Sequence, residues 1–472
     1  MKREQSLISN TFILALGNFL PQATALVTLP IYTGMLTTEE YGRYDLVNTV
    51  VYILGIVVLV QIQQAVFRYL VDVRGTKEQD VYITTTYFFE LVPSIIASIL
   101  FGLFYRNLPF PTPILLGLYL FLGLQYNVDG QVARGLGNNK VYAIGSIIQA
   151  VLNMALVVVF VSGIKLGFMG LFISLDLAYA VACLYQFVAC KQWKFIRLDA
   201  FSKDALGELL AYSWPMVPNT LSIWIVNTCD KFIIRLFLGV QYNGIFAVAQ
   251  KIPNIFTMAY GTFNMAWQES ASVSLNDSDH DSYYENVFEA LFDFLTGSML
   301  VLISATPILF MLLIKGDYSE SYFQIPLLYV GVFLSCISSF FGSIYIAQKE
   351  TKAVGISSAI GAIINFVVNL SLVHFIGLYA ASISTIVSYL ILVAYRVVDI
   401  KKRKLAVINY HLKRISFCVI LIVVCCVLCY MQRRITNLIN LTIGLIFFFL
   451  LNYKLLYAVL NAVIAKLHGE NK

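Results

Sequence analysis

Four stripes of polar side chains recur at helical spacing inside stretches that are otherwise apolar. Asn227, Lys231 and Arg235 stand four residues apart in SIWIVNTCDKFIIRLFLGV (222–240), with Asp230 beside them. Gln250, Asn254, Thr257, Gly261, Asn264 and Gln268 form a second stripe, flanked by Lys251 and Glu269. Gln61, Gln64 and Arg68 make a third, and Asn18 and Gln22 a fourth. Residues at i, i+3, i+4 and i+7 share one face of a helix. Bases and amides on such a face can hold an anion or a hydroxyl-rich cargo, and Asp230 or Glu269 can exchange a cation or close a gate. The plainer alternative is bonding between neighbouring helices, at about 0.6–2 kcal/mol per contact. That alternative suits isolated amides better than Lys231 or Lys251, because a charge at the bilayer centre costs about 2.5–3.5 kcal/mol. Arg68 and Arg235 lie near span ends, where long side chains reach the interface. Asp230 and Lys231 are adjacent and do not face one another on a helix.

The composition sets the solvent. Of 472 residues, 59% are hydrophobic and only 12% charged, with mean hydropathy +0.78. Soluble domains carry about 25% charged residues. In lipid every backbone polar group must be satisfied within helices or a closed barrel. Barrel strands alternate with period two; here the apolar runs are continuous over roughly 20 residues, the length of a spanning helix. The fold class is therefore an all-α polytopic membrane protein. Fourteen spans are expected, at 11–35, 46–67, 82–104, 113–133, 141–163, 168–190, 210–236, 244–268, 288–314, 325–347, 353–374, 377–397, 412–431 and 438–464. The run from Phe12 to Met35 is longer than the h-region of about 7–15 residues in a signal peptide, so it is read as a retained span.

Basic residues favour cytoplasmic loops. With the N-terminus inside, 22 of the 32 Lys and Arg residues fall on the inner side and seven on the outer. Both termini are expected in the cytoplasm. One inner loop, SVSLNDSDHDSYYENVFE (272–289), is acidic and runs against the pattern. The net charge of +6 is accounted for by this loop bias and does not indicate a nucleic-acid partner. The eight cysteines lack metal-ligand spacing, and no phosphate loop, dinucleotide fingerprint or HExxH occurs. No cofactor, metal or catalytic site is expected, and transport would draw on a gradient or on the substrate.

The chain repeats itself. TTEEYGRYDLVN (37–48) aligns with GVQYNGIFAVAQ (239–250), and residues 130–158 align with 342–370, placing Gly130 on Gly342, Lys140 on Lys352 and Asn153 on Asn365. Span n is thus related to span n+6. The expected division is a six-helix bundle at 1–190, a linker at 191–209, a second six-helix bundle at 210–400 and two further spans at 401–472. The basic linker reads equally as a short amphipathic helix on the inner leaflet or as a plain loop. Pro21, Pro30, Pro215, Pro218 and Pro253 permit kinks in spans 1, 7 and 8.

LPIYTGMLTTEEYGRYDLVN (29–48) and the segment 209–252, with Leu209, Leu210, Tyr212, Ser213, Pro215, Asp230, Lys231 and Gly244 at its marked positions, resemble the Wzx-like polysaccharide-export flippases of the multidrug/oligosaccharidyl-lipid/polysaccharide (MOP) exporter superfamily. The resemblance implies a MATE-like pair of six-helix repeats and a transporter, not an enzyme, in the bacterial inner membrane. Its implied substrate is an undecaprenyl-diphosphate-linked oligosaccharide for O-antigen or capsule, moved by alternating access, with a polysaccharide polymerase as the candidate protein partner. Lys231, Lys251, Arg68 and Arg235, with Asn227, Asn254 and Gln250, would meet the diphosphate or sugars. Asp230 and Glu269 would couple an ion or gate. Span 1 lacks arginine, which argues against the lipid II flippase branch. A cation-coupled drug exporter and a polysaccharide polymerase or ligase are the alternatives. The first leaves the last two spans without a role, and the second calls for a long outer loop. Lys251→Ala is expected to impair surface-polysaccharide export at unchanged protein level; normal export would remove Lys251 from the substrate path.

Overall fold

The computed structural model describes residues 21, 23–348 and 350–467, and these form helices joined by short turns. In chain order they are α1 (Ala23–Met35), α2 (Thr38–Leu59), α3 (Ile62–Asp72), α4 (Glu78–Phe104), α5 (Thr112–Gly135), α6 (Asn139–Val157) and α7 (Gly167–Ala189). Then come α8 (Lys203–Ser213), α9 (Met216–Phe237), α10 (Val240–Val273), α11 (His280–Leu313) and α12 (Ser321–Ala347). The last four are α13 (Thr351–Ile376), α14 (Tyr379–Arg403), α15 (Leu412–Tyr430) and α16 (Arg434–Leu467). Ten of them, α2, α4, α6, α7 and α11 to α16, are long and apolar enough to cross a membrane. The chain is a multi-pass membrane protein. The remaining expected spans fall on α1, α5, α9 and α10; the last three have spanning length but carry more polar residues. Asn18, Gln22 and the start of span 1 lie outside the described residues.

Span 2 is not one helix. It breaks at Val60 and Gln61, both in the left-handed region with φ of 49° and 58°. No glycine or proline marks the place. A β-branched residue at positive φ is strained, and the surrounding burial of Leu59, Gln61 and Ile62 holds it there. In the matching position of the repeat, α10 runs unbroken for 34 residues, even through Pro253.

The chain divides into two compact units, Met1–Thr228 and Cys229–Lys472, the boundary falling within α9. In the first unit α4 and α5 meet backbone to backbone. A Cβ on Gly102 would lie 2.8 Å from the Pro113 carbonyl oxygen, and one on Gly117 2.8 Å from that of Ser98. The linker is fastened to α4 through a buried threonine run. Thr84 Oγ1 donates to the Phe195 carbonyl at 2.9 Å and accepts from Arg197 N at 3.1 Å, while Thr85 Oγ1 accepts from Ser202 N at 3.1 Å. Ser202 then caps α8, its hydroxyl accepting from Ala205 N, and Tyr82 donates to Glu208 at 2.7 Å. The linker is therefore two 3-10 turns and a helix, with Trp193, Leu198 and Phe201 exposed on it.

In the second unit α12 is the most enclosed helix. Trp267 of α10 stacks on its Phe340 with ring planes 7° apart, and Tyr260 donates to the Cys336 carbonyl at 2.6 Å. Helices α11 and α16 pack closely: a Cβ on Gly297 would lie 3.1 Å from the Phe448 Cα, and one on Gly444 2.8 Å from the Leu300 carbonyl oxygen. The acidic loop that runs against the charge pattern continues into α11, where Asp281, Glu285, Glu289 and Asp293 stand four apart. They hold the connection between α14 and α15. Asp281 accepts from Val407 N at 2.8 Å, Glu285 from Asn409 N at 3.4 Å, Glu289 pairs with His411 at 2.9 Å, and Asp293 with Arg414.

In the first unit Gly145 makes room for the buried Gln186 of α7, and in the second Gly342 makes room for the buried Arg396 of α14; Gly130, which aligns with Gly342, is close to Tyr142. Relieving the break in span 2 is expected to stabilise the chain: Val60→Gly should add about 1 kcal/mol, read as a higher unfolding midpoint in detergent. A lower midpoint would mean that the added chain freedom of glycine and the lost Val60 side chain outweigh the relieved strain.

Candidate functional site

Asp230 is the best-defined polar centre among the expected residues. It lies on α9, is 8% exposed, and accepts a hydrogen bond from Asn369 Nδ2 at 2.6 Å. Asn365 and Asn369 are one turn apart on α13, and Thr385 of α14 and Asn365 also face the Asp230 carboxyl. Asn365 donates to Thr385 Oγ1 at 3.4 Å and accepts from Cys229 Sγ at 3.5 Å; Thr385 donates to the Ala381 carbonyl at 2.9 Å. Asn369 Oδ1 is buried with no hydrogen-bond partner. A buried carboxylate needs a proton, a cation or several donors. This one is ringed by neutral oxygens and amides from two other helices, with one carbonyl oxygen to spare. A single carboxylate balances a single positive charge. The donor set thus fits a proton or a small monovalent cation better than a divalent ion, which would leave buried charge uncompensated.

The other expected residues are placed as follows. Lys231, Gln250 and Lys251 are half-buried, and Asn254 and Glu269 are exposed on α10. Arg235 is exposed in the last turn of α9. Arg68 is exposed and pairs with Asp72 of its own helix at 2.6 Å. Asn227 lies on α9, and its side chain is outside the described set. Among the described side chains of this set, Asp230 is the one that is buried.

Sequence reasoning passed over further buried ionisable groups. In the first unit Glu90 accepts from Ser94 Oγ and Gln125 Nε2, each at 2.9 Å. Asp129 accepts from Tyr87, whose hydroxyl also meets Gln192 of the linker. Asp176 is 4% exposed with both carboxyl oxygens unpartnered. The available signal was a lone acid inside an apolar run, as in FFELVP, NVDGQV and SLDLAY. In the second unit Arg396 is 4% exposed and spends all five of its donors: on Ser357 Oγ from Nε and Nη2, on Ser358 Oγ, and on the Ser338 carbonyl and Oγ from Nη1.

The sequence model of the polysaccharide biosynthesis protein family matches residues 7–268, more than half of the chain. The chain belongs to the polysaccharide biosynthesis protein family. No curated protein matches it in sequence. This family member is similar in structure to the lipid II flippase MurJ in an inward closed conformation, with TM-score 0.69 and 13% identity over 95% of this chain and 100% of the other. It is also similar to an inward-facing multidrug resistance MATE transporter of the MOP superfamily, with TM-score 0.67 and 15% identity over 83% and 99%. A third likeness is to a MOP superfamily transporter from Pyrococcus furiosus, with TM-score 0.55 and 14% identity over 84% and 96%. At these identities the likeness speaks for the fold. The polysaccharide biosynthesis family member thus has the MATE-like fold of MOP exporters, as the sequence led one to expect.

If Asp230 takes a monovalent cation, thermal unfolding of the purified chain should respond to Na⁺ or to acid. Saturation at 100 times the dissociation constant would stabilise by about 2.7 kcal/mol. Asp230→Asn is expected to abolish that response, and Glu269→Gln to leave it. A response that survives in Asp230→Asn would exclude this site.

Proposed function

We propose that this chain is a flippase that moves undecaprenyl-diphosphate-linked oligosaccharide repeat units across the bacterial inner membrane for O-antigen or capsule assembly. The observation that carries the reading is membership of the polysaccharide biosynthesis family in a chain with a membrane exporter's fold. It acts as a transporter, not as an enzyme. Two six-helix repeats, at 1–190 and 210–400, alternate in access, joined by the linker at 191–209 and followed by the helices of 401–472. Both termini are cytoplasmic, as the basic loops favour. Lys231, Lys251, Arg68 and Arg235 supply positive charge to the diphosphate, and Asn227, Gln250 and Asn254 supply amides to the sugars.

The energy comes from a cation gradient read at Asp230. A carboxylate among Asn365, Asn369 and Thr385 binds a cation or proton with little net charge left in the apolar core, so loading and unloading can bias a conformational equilibrium. Glu269, exposed on α10, serves gating. A polymerase that consumes the flipped unit is the candidate partner.

The test is a leaflet assay. In a deletion strain, lipid-linked oligosaccharide is measured by mass spectrometry after labelling at the outer face. Complete repeat units that accumulate shielded from the label are the expected result. Complete units that reach the outer face unpolymerised would reject the flippase reading in favour of a pathway enzyme.

A further inference from the structure

A notch of about 570 Å³ opens between α4 and α5 beside the turn that joins them. One wall is Ile95, Ile99 and Leu103, four residues apart on α4; Ile114 and Leu118, four apart on α5, form the other. The floor is the close backbone contact at Gly102 and Gly117, where side chains would not fit. Ile99, Leu103 and Ile114 are 58%, 58% and 59% exposed, so the walls stand clear of the protein's own packing. The notch runs along the helices. Ile95 to Leu103 covers eight residues, or about 12 Å of rise. Its volume falls within the range of roughly 300–1,000 Å³ of sites that enclose small molecules.

One charged residue lines it. Arg106, at the turn end, is exposed and makes no ion pair among the described residues. Any lipid can lie against an apolar surface. An arginine at one end of such a notch asks more: an apolar chain along the helices, with a phosphate at the level of the guanidinium, where charge-assisted bonds form. Apart from Arg106 and Ser98 the lining side chains are apolar, which suits an apolar chain better than a polar cargo.

We propose that the α4–α5 notch is a lateral docking site for a polyprenyl-phosphate lipid, with the phosphate on Arg106 and the isoprenoid chain along Ile95, Ile99 and Leu103. This deepens the flippase reading and rests on it for the choice of a polyprenyl carrier over a two-chain phospholipid. In the orientation proposed above, the α4–α5 turn is at the outer face. The notch therefore holds the carrier on the side where its glycan has been delivered.

The purified full chain in detergent is titrated with undecaprenyl phosphate, and in parallel with phosphatidylglycerol, and bound lipid is read by native mass spectrometry. The expected result is one retained undecaprenyl phosphate that equimolar phosphatidylglycerol does not displace. Arg106→Gln should weaken its binding about tenfold, the scale of one charge-assisted hydrogen bond. Ile99→Trp, which fills the notch from an exposed wall, should weaken it comparably at an unchanged unfolding midpoint. Retention unaffected by both substitutions, or phosphatidylglycerol displacing the polyprenyl lipid at equal concentration, would overturn the proposal. Binding is read without transport, so its failure is separate from failure of the leaflet assay.

Discussion

A polar group in the hydrocarbon region of a bilayer has no water to turn to, and this structure depends on how its buried polar groups find partners from within. For the backbone the answer is the helix. For Arg396, Asp230 and Glu90 it is a partner on another helix, and these partners tie the helices of each unit together. Arg396 joins α12, α13 and α14 by spending five donors on three serines and a carbonyl. Asp230 joins α9 to α13 through Asn369. Glu90 joins α4 to α5 through Gln125. Each contact is local, yet removal of one member leaves a buried group unmet, at about 1–3 kcal/mol or more for a charge.

The same economy extends beyond the spans. Three consecutive buried threonines on α4 give the linker its fixed course: two of them take its backbone, and the third, Thr86, bonds back to the Tyr82 carbonyl of its own helix. This leaves the exposed Trp193, Leu198 and Phe201 among Lys191, Lys194 and Lys203 on a supported element, not on a slack loop.

Much of the helical layout could be read from the sequence, because an apolar run of spanning length has few other uses in a chain this hydrophobic. Asp230 could be read as well, since an acid in such a run demands an explanation. Its setting could not: Asn369 is 139 residues away, and Asn365 stood out only as the repeat partner of Asn153. The break at Val60–Gln61 carries no glycine or proline, so nothing in VLVQIQQ announces it. Arg396 counted in sequence only as one more inner-side base, because the serines that bury it lie 38 to 58 residues away. The acidic stretch before span 9 looked like an exception to loop charge. Its continuation on α11 faces a segment that needs acceptors.

That segment, residues 406–411, behaves as a ruler. Ala406 and Ile408 are buried and Tyr410 packs on Phe288, while the Val407 and Asn409 backbone N–H groups and the His411 ring meet successive acids of α11. Two residues of extended chain advance about 6.6 Å, and four of helix about 6.0 Å, so the two backbones keep step. One added residue would exchange the inward and outward sets at a stroke; two would merely advance the chain by one acid. Among related chains, the length of this connection should therefore drift in even steps, and the helices that follow it would move by a whole notch or not at all.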